Sequence, residues 1–474
     1  MTFYFYDLET SGVNPRWSRI MQFGGQRTGL NLKPLGKPDN FLVKLSEDVL
    51  PDPEAVLVHG ITPQRTIAEG ITEAEAVKYL VNQVFIPDTI AVGYNNIRFD
   101  DEFIRHLFWR NFTDAYEWQW KDHRSKWDIL DLARMTRALR PEGIKWPFGP
   151  DGKPSNRLGL LAAINNLEHI DAHDALSDVK AALSLARLIR NKQTKLFDYL
   201  LQVRDKTRIG ALVGKGEPFI YTSGRYPSEF SKTSAVILLA PHPERDAGLV
   251  YDLRVDPDEF TGLTPAQLAA LWQLRGPDAP YFPVKKMAYN RCPAVAPLSV
   301  LDDESASRLS IDRSVVSQNL KKLRAAKGFD EKMLKALERI EPKRQPELII
   351  NEQTVDAQLY DGFVNGPDKT KMAVVRAADA SALAGLELDF EDERLKALLP
   401  LYKARNYPQV LAPDEKLWWE EYKLRKLVEG GPASAVNRYL DRVGELINQK
   451  QISVDQKNLL SELHSYGESR LASE

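Results

Sequence analysis

The sequence predicts an α/β protein built from three parts in chain order. Residues 1–190 combine strand-like apolar segments with amphipathic helical patterns, which favours a mixed sheet covered by helices. Residues 191–342 hold short apolar runs separated by turn residues, which indicates a small β-rich domain with helices. Residues 349–474 are mainly helical in pattern, and a chain of 474 residues exceeds what one hydrophobic core normally serves.

The first part contains four strand-like and four helical segments. In chain order, the strand-like segments are TFYFYDLE, RIMQFGGQRTG, NFLVKL and TIAVGY. The helical segments are TEAEAVKYLVNQVF, DEFIRHLFWRNF, KWDILDLARMTRAL and DALSDVKAALSLARLIR. Several strands in succession, then strands mixed with helices, are typical of a mixed sheet with helical cover.

The sequence pattern changes in the second and third parts. PFIYTS, SAVILLAPHP and GLVYDLRV read as short strands, and IDRSVVSQNLKKLRAAKG and DEKMLKALERI read as helices. EPKRQPEL (341–348) is a polar, proline-bearing candidate linker. Beyond it, KLWWEEYKLRKLVEGG is the clearest of the helical segments.

Composition limits the location and the partners of the chain. A net charge of −2 and a pI near 6.5 do not indicate a nucleic-acid partner, so any attractive positive field must be local. Cys292 is the only cysteine, which excludes an intrachain disulfide and suits a reducing cytosol. The sequence has neither a signal-peptide pattern nor an apolar run long enough for a membrane span. We expect a soluble, cytoplasmic protein without membrane association, and a monomer.

Acidic residues recur at the ends of the predicted elements of the first part. Because side chains alternate along a strand, Asp7 and Glu9 share the face of Phe3 and Phe5 and lie about 6.6 Å apart. Two like charges this close repel, and a divalent cation between them removes the repulsion. The alternative is a strand that simply ends in the turn ETSG, and for this motif alone the two interpretations are equally good.

Two further segments add acidic residues to this pattern. Asp100 and Asp101 follow TIAVGY, and His173 precedes Asp178 by five residues at a helix start. Asp178 lies beside small residues on a helix face that otherwise packs, so its carboxylate needs a partner. Asp174 is equally explained as the N-cap of that helix, and His173 as a surface loop residue.

Oxygen ligands with one cysteine and few histidines favour Mg²⁺ or Mn²⁺ over zinc. Two such ions about 4 Å apart can activate a water and stabilise the leaving oxygen of a phosphodiester. A nearby histidine can take the proton of that water. The acidic residues therefore support the hypothesis of a metal-dependent phosphodiester hydrolase.

Four motifs in order resemble those of the DEDDh 3′→5′ exonucleases: FYFYDLETSG, HGITP, GYNNIRFDDEF and HDALSDV. The spacing of His173 and Asp178 matches the histidine branch of that family, because the tyrosine branch would have Tyr where this chain has Asp174. The resemblance implies an RNase H-like fold and makes His173 the general base. It also implies that four carboxylates hold two Mg²⁺ ions, or Mn²⁺ as a substitute, namely Asp7, Glu9, Asp100 and Asp178.

Further segments along the whole chain resemble the bacterial exonuclease I family: LRPEGIKWP, LFDYLLQVRDK, NRCPAV, NEQTVDAQLYDGF and YKARNYP. That resemblance implies an exonuclease domain, an SH3-like domain and a helical C-terminal domain. The implied activity is 3′→5′ degradation of single-stranded DNA to 5′-mononucleotides in DNA repair and recombination. One rival is an RNA-trimming or proofreading DEDDh nuclease, which needs little beyond the first 190 residues. Another is a non-catalytic single-strand-binding scaffold, against which the presence of all four carboxylates argues.

An aromatic and basic tract lies within residues 109–146, which hold five of the nine tryptophans. Aromatic faces and cations suit a single-stranded nucleic acid, although a buried helix pair with a solvated basic face is the alternative. Trp127, at helical spacing from Leu130, is predicted to belong to the core. By resemblance, Glu9 and five tract or neighbouring residues contact the substrate: Arg105, Tyr116, Trp120, Arg134 and Arg157.

The resemblance also implies a protein partner, the acidic C-terminal tail of the single-stranded DNA-binding protein. Such a tail needs a basic rim beside an apolar pocket. The segment 312–328 offers Arg313, Lys321, Lys322 and Arg324 in a helix that also carries Val316, Leu320 and Leu323. Tyr199 is a candidate for the pocket wall by resemblance. The alternative is an ordinary amphipathic helix with a solvated basic face.

Overall fold

The first domain is organised around a five-stranded mixed sheet. The computed structural model describes residues 1–168, 174–276, 278–341, 353–449 and 451–471. The strands of this sheet are β1 (Thr2–Thr10), β2 (Ile20–Thr28), β3 (Asp39–Leu42), β4 (Thr89–Gly93) and β5 (Ser125–Asp128). Their order is β3-β2-β1-β4-β5, with β1 antiparallel to β2 and parallel to β4. The predicted mixed sheet is confirmed, and β1 lies at its centre.

Seven α-helices accompany this sheet in the described part of the first domain. They are α1 (Pro53–His59), α2 (Pro63–Glu69), α3 (Glu73–Tyr79), α4 (Asp100–Arg110), α5 (Ile129–Leu139), α6 (Leu158–Ile164) and α7 (Ala175–Lys192). Helix α7 packs across β1 and β2, whereas α4 supplies apolar side chains to the opposite side of the sheet. Helices on both faces explain why the strands are apolar on both sides.

The alternation predicted for β1 is confirmed. Phe3 and Phe5 belong to the core beneath α7, whereas Tyr4, Tyr6 and Leu8 belong to a separate core beneath α3 and α4. Both sets are buried because β1 is the central strand. The two acidic residues at its end therefore extend the face that α7 covers.

The helix predicted from residue 126 begins later, and this part of the prediction is wrong. Lys126 and Trp127 are in β5, where they pair in parallel with Ala91 and Val92 of β4. Asp128 then caps α5, since its carboxylate accepts the backbone N–H of Leu130 at 2.9 Å. Trp127 is a core residue as predicted, but as part of a strand: pairing with a neighbouring strand overrides the local helical pattern.

The second region contains an antiparallel five-stranded sheet in the order β10-β6-β7-β8-β9. Its strands are β6 (Phe219–Thr222), β7 (Thr233–Pro241), β8 (Ala247–Asp252), β9 (Val284–Ala288) and β10 (Ala294–Pro297). Its described helices are α8 (Thr194–Val203), α9 (Lys206–Val213), α10 (Asp258–Thr261), α11 (Pro265–Gln273), α12 (Asp303–Arg308), α13 (Arg313–Ala325) and α14 (Phe329–Ile340). The small β-rich region with helices is confirmed.

The described C-terminal region is helical, as predicted. Its helices are α15 (Gly366–Ala377), α16 (Ala380–Ala384), α17 (Glu393–Asn406), α18 (Pro413–Leu427), α19 (Ala435–Ile447) and α20 (Val454–Leu471). The region docks on the first domain, where the indole N–H of Trp109 donates to the carbonyl of Val355 at 3.0 Å. Residues 342–348 of the predicted linker lie outside the described residues, and the domain boundaries stay predictions.

Candidate active site

Three carboxylates meet at the end of the central strand. Asp7 and Glu9 come from β1 and Asp178 from the first turns of α7, and one oxygen from each lies within 4.8 Å of the others. Glu9 is buried, and the other two are partly buried. The structure therefore brings together three of the four predicted metal ligands, from elements about 170 residues apart in sequence.

A close backbone approach holds α7 against this end of the sheet. Gly24 of β2 is the register partner of Asp7. A side-chain carbon at Gly24 would lie 2.5 Å from the backbone nitrogen of Leu176 and 2.6 Å from the carbonyl carbon of Ala175. Only glycine permits this separation. The first turn of α7, and with it Asp178, can therefore reach Asp7.

Gln22 fixes the start of the same helix and was missed by the sequence analysis. Its amide donates to the Asp174 carboxylate at 2.8 Å, and its carbonyl oxygen accepts the backbone N–H of Ala175 at 3.2 Å. Asp174 also caps α7 through the N–H of Ser177 at 3.0 Å, so its predicted N-cap role is confirmed. His173, the residue before this cap, lies outside the described residues. Gln22 stands opposite Glu9 in the strand register, a relation that the linear sequence does not reveal.

Asp100, the fourth predicted ligand, starts α4 and is buried. It is not part of the 4.8 Å group, but its charge raises the pKa of Asp7. Its neighbour Asp101 is engaged elsewhere, because its carboxylate accepts the Tyr6 hydroxyl at 2.5 Å and lies 3.4 Å from the Lys126 ammonium. Of the two adjacent aspartates, Asp100 is thus the one whose charge acts on the carboxylate cluster.

Burial and like charge dominate the electrostatics of the cluster. Burial, then the charges of Asp100 and Asp178, raise the pKa of Asp7 well above its usual range. Burial, then the charge of Asp7, raise the pKa of Glu9 to about 9. Burial also raises the pKa of Asp100, with Asp101 adding to the effect. Several hard oxygen donors that disfavour one another's charges fit a divalent cation, which compensates them together.

His59, the last residue of α1, supports the strand end. Its Nδ1 accepts the backbone N–H of Ile61 at 3.0 Å, which leaves Nε2 as the donor to the carbonyl of Thr10 at 3.2 Å. Thr10 directly follows Glu9. The histidine ring therefore ties the turn after α1 to the residue next to the cluster.

The tryptophans of the predicted aromatic tract divide into core and surface residues. Trp109, Trp118 and Trp127 are buried, and Trp146 is partly buried. Trp120 is 64% exposed. Of these five side chains, Trp120 is thus the most exposed, and its predicted contact with a nucleic acid stays a prediction.

The predicted basic contacts differ in their freedom to meet a ligand. Arg105 donates to Glu102 at 2.7 Å and lies over the Tyr116 ring, 5.9 Å from its centroid. Arg134 is paired with Asp131 at 2.7 Å. Arg157, at the start of α6, is exposed. Arg105 and Tyr116 are neighbours on one partly buried surface, and the charges of Arg105 and Arg134 are each partly compensated by a carboxylate.

The C-terminal region adds aromatic residues to that surface, and the sequence analysis missed them. Tyr360 donates its hydroxyl to Glu102, and its ring centroid lies 6.4 Å from that of Tyr116. Phe363 is 94% exposed nearby in sequence. The position of Tyr360 beside Tyr116 depends on the packing of residues 355–360 against α4, which no local pattern in the sequence indicates.

A basic cleft of about 500 Å³ lies between the first domain and the antiparallel sheet. Asp131, Tyr221 and Asn290 contribute to its walls. Its cations are Arg98, Arg225, Arg245, Lys286 and Arg291. These cations are scattered over nearly 200 residues of sequence and meet only in the folded chain, where carboxylates such as Asp131, Asp246 and Glu341 partly compensate them.

The residues predicted to bind a protein partner lie in different surroundings. Arg313 lines an apolar pocket of about 330 Å³ formed with Leu298, Leu301, Ile311 and Val316. Arg324, at the other end of α13, donates to the carbonyl of Gly216 at 2.9 Å. Tyr199 is half-buried between two cores, and burial raises its pKa to about 12. Val316 and Leu323 of α13 are buried in the core, so most of the apolar face of this helix is already covered.

None of the helices in the described residues combines the length and the apolar composition needed to cross a membrane.

Family models match the chain in three consecutive segments. One described as Exonuclease matches residues 4–186 and contains the carboxylate cluster. One described as Exonuclease I SH3-like domain matches residues 204–339, and one described as Exonuclease I C-terminal domain matches residues 353–470. Fold and site together define a nuclease, an enzyme of the hydrolase class.

Full-length relatives narrow this class. The chain is 38% identical to exodeoxyribonuclease I of Haemophilus influenzae and 37% identical to that of Escherichia coli, with 98% of each chain covered. It matches a crystal structure of E. coli exonuclease I with a dA16 oligonucleotide at a TM-score of 0.92, 37% identity and 99% coverage of both chains. Similar structures include a zinc-bound E. coli exonuclease I–single-stranded DNA complex (TM-score 0.91) and an SSB/exonuclease I structure with the inhibitor CFAM (0.87). The chain belongs to the exonuclease I family.

Asparagine at position 7 or at position 101 is expected to change the free energy of unfolding in opposite directions. Asp7→Asn should stabilise the metal-free protein by about 1–3 kcal/mol at neutral pH, because a partly buried carboxyl with a raised folded-state pKa destabilises the fold above its unfolded pKa. The same change should abolish most of the stabilisation by Mn²⁺, which is about 2.7 kcal/mol at 100 times Kd for an intact site. Urea unfolding with and without Mn²⁺ measures both effects.

Asp101→Asn is the matched control. It should destabilise the protein by about 3 kcal/mol, because Lys126 loses a buried charge partner, and it should retain the stabilisation by Mn²⁺. Equal Mn²⁺ responses in the two variants would contradict the assignment of Asp7 to a metal site.

Proposed function

We propose that the protein is a metal-dependent 3′→5′ exonuclease that degrades single-stranded DNA to 5′-mononucleotides in DNA repair and recombination. The main support is that Asp7, Glu9 and Asp178 lie close together at the end of β1, in a chain of the exonuclease I family. Relatives described with single-stranded DNA support this substrate. Because bacterial DNA lies in the cytoplasm, we place the activity there, in a monomer.

Asp7, Glu9, Asp100 and Asp178 would hold two Mg²⁺ ions, for which Mn²⁺ can substitute. Bound there, the ions would supply a nucleophile from water at neutral pH and stabilise the leaving oxygen. The four carboxylates are oxygen donors, which suit hard cations. Burial and mutual repulsion raise the pKa values of Asp7, Glu9 and Asp100. Glu9 is additionally proposed to border the terminal nucleotide, by resemblance.

His173 is proposed as the general base that takes the proton of the attacking water. The support is the family spacing to Asp178 and the clamp that Gln22 places on the next residue, Asp174. A base must be held within hydrogen-bonding reach of the proton that it removes. The clamp restrains Asp174, the neighbour of His173 in the sequence.

The single strand is proposed to follow the aromatic and basic surface toward the cluster. Tyr116, Tyr360 and the exposed Trp120 offer ring faces, and Phe363 is a further exposed ring on the C-terminal region. Cations would track the phosphates from Arg105, Arg134 and Arg157 and from the basic cleft around Arg98 and Arg225. Stacking and phosphate contacts require no particular base, which suits an enzyme that degrades any sequence.

The proposed protein partner is the C-terminal tail of the single-stranded DNA-binding protein. The support is the relative described as SSB/exonuclease I, together with an apolar pocket that has Arg313 at its edge. Arg324 and Tyr199 are proposed to take part by resemblance. An acidic tail with an apolar end would place the end in the pocket and its carboxylates near the guanidinium groups.

The function is tested with single strands of DNA and RNA labelled at either end, with Mg²⁺ or EDTA. We expect release of 5′-mononucleotides from the 3′ end of DNA in the presence of Mg²⁺ and no release in EDTA. His173→Ala should lower turnover by about 10²–10⁴ while DNA affinity stays near that of the wild type. Faster degradation of RNA, or release from the 5′ end, would contradict the proposal. Equal losses of affinity and turnover would remove His173 from the role of base.

The strand path is tested with binding measurements in EDTA. Trp120→Ala should weaken single-strand binding by about 1–3 kcal/mol if a base stacks on the indole. Arg157→Ala should weaken binding regardless of sequence and reduce its salt dependence. Leu417→Ala, at a C-terminal leucine that is 62% exposed, is the control and should bind as the wild type does. Unchanged binding by Trp120→Ala would move the path away from this surface.

The partner site is tested by titrating a tail peptide of the single-stranded DNA-binding protein. Binding should be modest and weaken with salt, because charges at an exposed rim are screened. Arg313→Ala and Arg324→Ala should each lower the affinity, whereas Lys457→Ala on α20 should not. Binding unaffected by both arginine changes would place the site elsewhere, and no binding to the wild type would remove the partner.

A further inference from the structure

The hairpin that joins β1 to β2 begins directly after the carboxylate cluster. Ser11, two residues beyond Glu9, donates its N–H to the carbonyl of Arg19 at 2.8 Å. The N–H of Arg19 donates to the Ser11 hydroxyl, also at 2.8 Å. Arg19 is therefore the residue that closes the hairpin opposite Ser11, and any shift of its backbone passes directly to the strand end that carries Glu9.

The side chain of Arg19 points into the protein, although it belongs to a hairpin. It is 2% exposed, and its Nη1 donates to the carbonyl of Trp17 at 3.0 Å. Its Nη2 donates to Asp356 of the C-terminal region at 2.6 Å. One guanidinium thus binds both its own hairpin and a carboxylate 337 residues later in the chain.

Asp356 is held from its other side by the C-terminal helices. Arg405 of α17 donates to both oxygens of Asp356 at 2.9 Å and to Asp48 of the first domain at 2.7 Å. Lys426 of α18 donates to Asp48 at 2.6 Å. We call these five residues the interdomain charge bridge: Arg19, Asp48, Asp356, Arg405 and Lys426.

The carboxylates of the interdomain charge bridge are both buried and ionised, which favours a single arrangement of the bridge. Burial alone would raise the pKa values of Asp48 and Asp356, yet the charges of Arg405 and its neighbours hold both pKa values below their usual range. Both carboxylates are therefore ionised while almost excluded from water. Removing one buried charge leaves its partners uncompensated, so the bridge stabilises one arrangement of the hairpin against the C-terminal helices.

We propose that Arg19 is a positioning residue for the metal site, through which the C-terminal region holds the β1–β2 hairpin and Glu9 in catalytic geometry. Cation ligands must keep their places within about 0.5 Å, and a hairpin end next to a repelling carboxylate cluster needs external support to do so. The chemical step, in addition to the binding of long DNA, therefore depends on the C-terminal region. This inference rests on the proposed metal-dependent nuclease function.

The test uses full-length protein and the p-nitrophenyl ester of thymidine 5′-monophosphate, which is too short to follow the strand path. Asp356→Asn should lower kcat for this ester at least tenfold, change KM less, and weaken Mn²⁺ binding measured by electron paramagnetic resonance. Arg442→Gln is the matched control, because it removes an exposed ion pair between α19 and Glu54 of α1 and leaves the interdomain charge bridge intact. It should behave as the wild type in both measurements.

Arg19→Lys is the second variant, since it keeps the charge but cannot span the hairpin carbonyl and Asp356 together. Arg19→Lys should lose less kcat and less Mn²⁺ affinity than Asp356→Asn does. Its melting temperature should stay within a few degrees of that of the wild type. A folded Asp356→Asn or Arg19→Lys protein with wild-type kcat and Mn²⁺ affinity would overturn the inference. If both variants fail to fold, hydrogen exchange of the wild type decides: Ser11 and Arg19 amides that exchange much faster than those of β1 would overturn it.

The outcomes separate this inference from the function on which it rests. A wild-type protein that degrades labelled single-stranded DNA while the bridge variants match its kcat and Mn²⁺ affinity contradicts the inference alone. A wild-type protein that binds no Mn²⁺ and degrades no DNA contradicts the proposed function itself.

Discussion

The crowding of carboxylates at the end of β1 is the constraint on which the rest of the structure depends. Asp7, Glu9 and Asp178 place oxygens within 4.8 Å of one another, and burial adds to the cost of their charges. Left to itself, such a cluster would relax by moving strand and helix apart. The fold prevents this movement with a glycine that admits α7, a glutamine that clamps its first residues and a histidine that ties down the residue after Glu9.

The C-terminal region docks on the first domain through buried ion pairs. Buried ion pairs are weak evidence for stability, because desolvation offsets much of their attraction, but they specify one arrangement when every partner is present. The pairs around Asp356 connect that region to the hairpin next to Glu9. Trp109 and Tyr360 are further contacts between the two regions, and the Tyr360 ring lies beside that of Tyr116.

Tertiary contacts also decided which side chains of the aromatic tract are available. Trp118 and Trp120 are two residues apart, yet one packs against Phe85 with ring centroids 4.4 Å apart and the other is exposed. Asp100 and Asp101 are adjacent, yet one borders the cluster and the other binds Tyr6 and Lys126. Residue type was the same within each pair, so only the position of neighbouring elements could separate them.

The sequence by itself determined the mixed sheet, the β-rich and helical regions that follow it, and the acidic residues at the element ends, because strand alternation and motif spacing are local properties of the chain. Tertiary structure alone decided that residues 125–128 form a strand, because that requires pairing with β4. It also decided the roles of Gln22, Gly24 and Arg19, whose partners lie across the sheet or, for Arg19, 337 residues away in the chain. Contacts of that range follow from packing and burial, which no local pattern encodes.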